Sequence, residues 1–446
     1  MVCAGDRRGQ MTKRVRFQQM LDYVRLSLER VPEHRCGRRT EYEISDAGLG
    51  AFAVFFAQSP SFLAFQRHME EKHGRNNARS LFRVDKIPSD GQIRNLLDPV
   101  DPSYLREPYW DIYGQLRESK HLDRYLSVGG TLLCSLDGTR YFSSQRVSCS
   151  NCTVHVHDGE EHYSHMVLAA VLVAPGNKHV LTLDPEFITP QDGHKKQDCE
   201  QQAIKRWVNR NAKRFEPWSV TILTDDLHSH RPLCELLLEE KLHFIMTCKT
   251  ESHRALYEEV ELLTRVEGAV QSRTVRTWNG RYHELRTYRW VEQVPIRAGA
   301  HPLRVNWYQI TIERADTGRR IYHNAWITSH DLTEESLPEL VAAGRTHWKV
   351  ENENFNVLKN RGYNLEHNYG HGEQHLSTVL LSLLLLAFLI HTVLHLTCPK
   401  YQAIRKKLGP RRTFFNDFRA LTRYLYFDGW EELLDFMCRE LEISLG

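Results

Sequence analysis

"SVTILTDDLHSHRPLCELLLEEKLHFIMTC", residues 219–248, decides the fold class. An unbroken run of apolar and β-branched residues ends at the pair Asp225–Asp226, which marks a buried strand. "RPLCELLLEEKL" then has helical periodicity, and "HFIMTC" is a second short apolar run. Upstream, "TLLCSLDGT" (131–139), "YSHMVLAAVLVAP" (163–175) and "HVLTLDPE" (179–186) are further strands divided by turn residues, and "KKQDCEQQAIKRWVNRNAKRF" (195–215) is a helix. Three strands, helix, strand, helix, strand predicts a mixed α/β layer fold beginning near Gly130.

The flanks differ in texture. Residues 1–125 read as helical, with "IPSDGQIRNLLD" (87–98) offering Ser89 as a helix cap and Gln92 three residues on. Such short, capped helices with basic flanks suit DNA binding, and equally a plain helical bundle. Residues 126–250 hold the strands and helices above. A block over 251–330, with "SRTVRTW", "YHELRTYRWVEQVPI", "RVNWYQITIER" and "RIYHNAWITS", is spaced as an antiparallel insertion. Helices return over 331–398, and 399–446 is basic and then helical. "VLLSLLLLAFLIHTVLHL" (379–396) has an unbroken apolar part shorter than the roughly 20 residues a bilayer crossing takes. Ser382, His391 and His395 interrupt it, so the expectation is a core helix and no membrane.

The composition bounds the function. The 446 residues are 41% hydrophobic and 26% charged, a soluble globular balance with room for more than one domain. Lys plus Arg exceeds Asp plus Glu by 59 to 56, too near balance to argue for nucleic acid from the total. The basic residues are clustered, however: Arg7, Arg8, Lys13, Arg14 and Arg16; Arg35, Arg38 and Arg39; Lys400, Arg405, Lys406, Lys407, Arg411 and Arg412. Patches on several segments suit a long polyanion, although any one alone is ordinary solvated surface. Ten scattered Cys and no apolar leader point to a reducing, cytoplasmic setting.

Three acids stand where chemistry is feasible. Asp137 ends the strand "LLCSLDGT" before a Gly turn, and Asp225 ends "VTILTDD" with Asp226 beside it. Acids at the carboxyl ends of adjacent core strands point into a shared crevice. The third is in "RTHWKVENENFNVLKNRG" (345–362). At about 100° per residue, Trp348, Val350, Phe355, Val357 and Leu358 form one face, and Glu351 falls in the middle of it. A carboxylate among apolar neighbours needs a cation, a proton or a metal. Singly, the two Asp read as turn or cap residues and Glu351 as an ion-pair partner of some Arg. Together they read as a hard-oxygen site for Mg²⁺ or Mn²⁺, a pair of ions able to clamp an in-line phosphoryl displacement.

"SLDGT", "TDDLHSH" and "HWKVENENFNVLKN" resemble the three acidic motifs of the DDE transposases of bacterial insertion sequences, nearest those with a ribonuclease H-like core and a β-strand insertion before the final Glu. The resemblance spans about 130–395. "FFAQSPSFLAFQR", "IPSDGQIRNLLD", "PEFITPQDGHKKQDCEQQAIKRW" and "RGYNLEHNYGHG" extend it and suggest the loosely classified groups. It implies Asp137, Asp225 and Glu351 as catalytic and metal-binding acids, with Asp226 the alternative second acid. It implies hydrolysis of one strand at each transposon end, then attack of the freed 3′-hydroxyl on target DNA. The partners would be the terminal inverted repeats, target DNA and a second copy of the chain in a synaptic dimer, in the cytoplasm and on the nucleoid when bound. The family's commoner final motif has Tyr seven residues before the Glu, Arg four before and Lys seven after. Here those positions hold Gly344, His347 and Leu358, with Lys359 one residue late. Arg345 or His347 would replace the Arg, and Lys359 would touch the DNA backbone. An aromatic of the inserted strands stacks on a flipped base in related enzymes, which makes Trp290 a candidate among Trp278, Trp290, Trp307 and Trp326, although burial in a β core is the commoner fate of Trp.

Other signals are weaker. Cys149-x2-Cys152 before His155 and His157 has half the spacing of a zinc site. His367, His371 and His375 fall in a Gly-containing stretch that reads as a loop. No nucleotide-binding loop is present. A metal-dependent nuclease would use the same acids but needs neither the insertion nor the long N-terminus, and a transposase-derived DNA binder without catalysis would be expected to have lost an acid.

Overall fold

The computed structural model describes residues 15–35, 41–59, 76–190, 199–299 and 301–444. Arg7, Arg8, Lys13, Arg14, Arg38, Arg39, most of "SPSFLAFQRHMEEKH" and the stretch 191–198 lie outside the described residues. The fold is mixed α/β, with a mixed sheet and many helices. The chain divides into two compact units. Tyr125–Asn360 with Glu366–Asn368 contains the described strands, and the segments before and after it make a helical unit.

In the strand-bearing unit an 11-stranded sheet runs β2-β3-β1-β6-β7-β11-β10-β9-β8, with β4 and β5 on β3. Its centre is β1 (Leu132–Ser144), β6 (Val220–Thr224) and β7 (His243–Thr247), paired parallel. All five residues of β6 are buried, as a parallel strand covered on both faces requires. On one side β1 pairs antiparallel with β3 (Glu160–Val173), which also carries β2 (Thr153–His157), β4 (Leu181–Thr182) and β5 (Glu186–Ile188). On the other, β8 (Gln271–Trp278), β9 (His283–Pro295), β10 (Arg304–Arg314) and β11 (Arg320–Thr328) form an antiparallel meander that joins the centre by β11 pairing with β7. β8 is the edge, mostly exposed and carrying Arg273 and Arg276, charges that discourage edge-to-edge pairing.

One boundary differs from the sequence reading. β1 does not stop before a turn at Gly138 but continues to Ser144, because β3 gives it an antiparallel partner along its length, with Asp137 opposite Ala169 and Gly138 opposite Leu168. What ends near Asp137 is the parallel pairing to β6, last matched at Ser135 and Leu223.

In the helical unit the Ile44–Phe56 helix is buried on every face. Ser89 and Gln92 close a capping box at the start of Asp90–Leu97. The apolar stretch near 379–396 belongs to a helix of 22 residues, Leu376–Thr397, longer than its unbroken apolar part suggested and sufficient in length and composition to cross a membrane. It is buried within the protein, packed against the Ile44–Phe56 helix. The Ser382 hydroxyl donates to the Thr378 carbonyl at 2.9 Å, and His391 Nδ1 is 2.7 Å from the Tyr363 hydroxyl.

Candidate active site

The parallel register of β1 and β6 brings the first two acids together. Leu132 pairs with Val220 and Ser135 with Leu223, and two more residues along the same register bring Asp137 level with Asp225. Asp225 lies immediately beyond β6, its Oδ1 accepting from the Leu227 amide at 3.1 Å. Asp226 is turned elsewhere: its Oδ1 accepts from the Lys249 amide at 2.7 Å, its Oδ2 from the Ser252 hydroxyl, and His253 Nε2 is 3.5 Å away. Asp226 therefore ties down the chain after β7, which leaves Asp225 beside Asp137.

Glu351 reaches the same place through His347. His347 Nδ1 is 2.6 Å from the hydroxyl of Ser135, which shares a face of β1 with Asp137. Glu351, four residues on from His347, is close enough for its charge to act on Asp137. The helical wheel was wrong in one respect. Residues Val350–Phe355 are wound as a π-helix, so the α period does not apply. Glu351 is consequently exposed rather than set among Phe355 and Leu358, and Trp348 is 47% exposed. Lys349 and Asn354 are buried instead. Lys349 Nζ donates to the carbonyls of Ala174 (2.6 Å) and Asn177, and the Thr182 hydroxyl bonds Asn354, so the π segment is fastened to the chain after β3.

Two further residues join the three acids. Glu200, in the first turn of the Glu200–Asn211 helix, lies over Gly138, where a Cβ would come within 2.4 Å of its carboxyl group. That helix is clamped by Arg206 on Glu186 (2.7 Å), Arg210 on the buried Asp184 (3.0 Å) and the Trp207 indole on the Asp184 carbonyl (2.9 Å). Buried His228 has Nε2 at 3.5 Å from Glu200 and 3.6 Å from Asp225, and neither ring nitrogen makes a hydrogen bond. No spacing rule identifies either residue from the sequence. Burial, then the charges of Glu200, Asp225 and Glu351, push the Asp137 carboxyl up to about 7, against the Gly138 amide that donates to it at 2.9 Å. Among the described residues no Lys or Arg is ion-paired with any of the four carboxylates, which removes the Arg-partner reading of Glu351 there. A concentration of carboxylate oxygens lacking a counter-charge is the donor set a hard divalent cation such as Mg²⁺ or Mn²⁺ takes.

The expected DNA contacts fare unevenly. His347 is held neutral, its burial pushing it down to about 4 with a smaller effect from His228, so it positions the helix and is no cation for a phosphate. Arg345 lies over the Tyr322 ring at 4.4 Å. Lys359 pairs with Glu366 at 2.8 Å and keeps part of its surface. Trp290 is buried in β9, as are Trp307 and Trp326 in their strands, and a ring enclosed by its own sheet cannot stack on a base. Trp278, at the end of the β8 edge, is 59% exposed.

No known family model matches the chain, and no curated protein matches it. Among solved structures it is similar to the piggyBac transposase in a cryo-EM structure of its synaptic complex with hairpin DNA, at 13% identity and a TM-score of 0.39, over 96% of this chain and 80% of that one. At that similarity no chemistry transfers from one chain to the other.

Proposed function

We propose that the chain is a transposase that binds the DNA ends of a mobile element and carries out metal-dependent strand cleavage and strand transfer. The observation that carries this is the convergence of Asp137, Asp225 and Glu351 from two parallel strands and a helix, with Glu200 beside them and no Lys or Arg partner among the described residues. The three acids would hold Mg²⁺ or Mn²⁺, which, when bound, supplies the positive charge that activates an attacking oxygen and stabilises a leaving one. Asp137 on β1 and Asp225 just beyond β6 would sit side by side, and the His347 contact on Ser135 would anchor the segment that carries Glu351. Glu200 adds negative charge next to Asp137, and His228 faces both Asp225 and Glu200, able to accept or return a proton at Nε2. Exposed Trp278 with the Arg-bearing β8 edge offers a surface for phosphates and an unstacked base. Joining two ends requires two copies of the chain.

The test is cleavage and joining of labelled DNA carrying the element's terminal repeats, with Mg²⁺ or Mn²⁺, for wild type, Asp137→Asn and Glu351→Gln. Joined product in wild type, lost by at least about 1,000-fold in both variants while end binding persists, is the expected result. Cleavage without joining would make the chain a nuclease. Binding without any metal-dependent chemistry in wild type would make it a DNA binder only.

A further inference from the structure

We propose that Cys149, Cys152 and His165 bind a zinc ion, separate from the acidic site and independent of the function proposed for it. The pairing of this Cys-x2-Cys with His155 and His157 that the sequence suggested is not what the fold supports. Both of those His are on the exposed part of β2. The third ligand comes instead from β3, where His165 is buried opposite Phe142 of β1.

The geometry fits the ion. Cys149 and Cys152 span a turn closed by the Cys152 amide donating to the Cys149 carbonyl at 3.1 Å, which aims both sulfurs the same way. Their Sγ atoms are 3.9 Å apart, and His165 Nε2 is 3.6 Å from one and 3.5 Å from the other. A tetrahedral zinc with Zn–S of about 2.3 Å and Zn–N of about 2.05 Å sets its sulfurs about 3.8 Å apart and each sulfur about 3.5 Å from the nitrogen. All three edges agree. The same separation is nearly twice the roughly 2.05 Å of a disulfide bond, and the two cysteines are not so joined. The imidazole is fixed by the ring of Tyr141, stacked at 5.7 Å, and by Phe142 at 5.5 Å, so Nε2 is presented to the sulfurs without a search of rotamers. A four-coordinate ion takes one donor beyond these three.

Such an ion would tie the loop between β1 and β2 to β3, at the outer end of the β1–β3 ladder that also carries Asp137. It would be structural: two thiolates on a soft-accepting metal hold tightly and exchange slowly, and Cys152 and His165 are shut from water.

The experiment is metal analysis of the full chain, purified without chelator, followed by replacement of the metal with Co²⁺. One zinc per chain is expected, and the cobalt protein should show the visible bands of a tetrahedral ion and a thiolate-to-cobalt charge-transfer band in the near ultraviolet. Cys149→Ser, Cys152→Ser and His165→Ala should each lose most of the zinc, whereas the His155→Ala/His157→Ala pair and Glu351→Gln should keep it. Should the cysteine variants fail to fold, the cobalt spectrum of the wild-type chain decides alone. Wild type without stoichiometric zinc and without the charge-transfer band overturns the site, as does zinc retained by the Cys149→Ser/Cys152→Ser double variant or lost with His155 and His157. Because no DNA and no strand chemistry enter the assay, a negative result leaves the transposase reading untouched, and failure of that reading leaves this one standing.

Discussion

Asp137 is where the candidate site is most sensitive to pH. Its carboxyl, held up near 7, keeps a proton below that value, and the proton competes with any cation for the same oxygens. Metal-dependent cleavage should therefore climb as pH rises through about 7. Glu200 exerts the largest of the charge effects on Asp137, so Glu200→Gln should move that limb to lower pH in a single-turnover pH profile. A limb that stays in place would show that Glu200 has no electrostatic part in the site. His330 makes an independent prediction about stability. Its burial, with a smaller effect from His243 stacked at 4.1 Å, holds it down at about 3, and its Nε2 shares a hydrogen bond with Thr221 at 2.9 Å. Between about 6.5 and about 3 the unfolded chain binds a proton that the folded one refuses, so stability is lost as pH falls through that window, by on the order of 3 kcal/mol from this residue once pH 4 is reached. His330→Gln keeps a hydrogen-bonding group and does not titrate, and urea denaturation from pH 7 down to pH 4 should show a shallower loss for it than for wild type. At this scale the sequence exposes acids that end apolar runs, because strand periodicity makes them conspicuous. It hides Glu200, His228 and His165, whose partners are set by which strands and helices become neighbours.

The element that most departs from a regular pattern carries Glu351. A wheel drawn at the α period assumes the winding it is meant to test, and "KVENENF" winds as a π-helix over Val350–Phe355. The wheel was right about Val350, Phe355 and Leu358, all buried, and wrong about Glu351, Trp348 and Lys349. The same limit explains β1: a Gly after an Asp usually marks a turn, but here Gly138 leaves room above the strand for the carboxyl of Glu200, and β3 carries the ladder past it. A π segment amounts to one residue inserted into an α-helix, and it is a frequent feature of functional sites. Deleting the exposed Asn352 should return the segment to α winding and rotate Glu351 against the anchor that His347 makes on Ser135. A misplacement on the order of 1 Å costs about 100-fold in rate, and a rotation of one residue displaces the carboxylate by more. The expected outcome is loss of strand joining with circular dichroism unchanged, while Asn352→Ala stays near wild type. Full activity in the deletion would mean that the winding has no bearing on the chemistry.

Across the whole molecule, the mixed α/β class and the order of strands and helices are legible in hydrophobic runs alone, and so is the antiparallel character of β8–β11. What those runs do not reveal is that the helical unit is assembled from both ends of the chain, since contact between segments more than 300 residues apart has no local signature. That assembly has a consequence for truncation. All thirteen residues of the Ile44–Phe56 helix are buried, and it packs against the Leu376–Thr397 helix, itself apolar around most of its circumference. Neither has a polar face to turn to water, so each depends on cover from its unit. Removing Tyr369–Gly446 would uncover Phe52, Phe55, Phe56 and their neighbours at about 1.5–3 kcal/mol for each large side chain, and a handful of these equals the 5–15 kcal/mol of a typical domain. The chain ending at residue 368 should therefore be insoluble when expressed, or bind a hydrophobic dye strongly if recovered, while the full chain does neither. A soluble, dye-negative product would show that the first 124 residues cover their own apolar helix, and that the two chain ends fold independently.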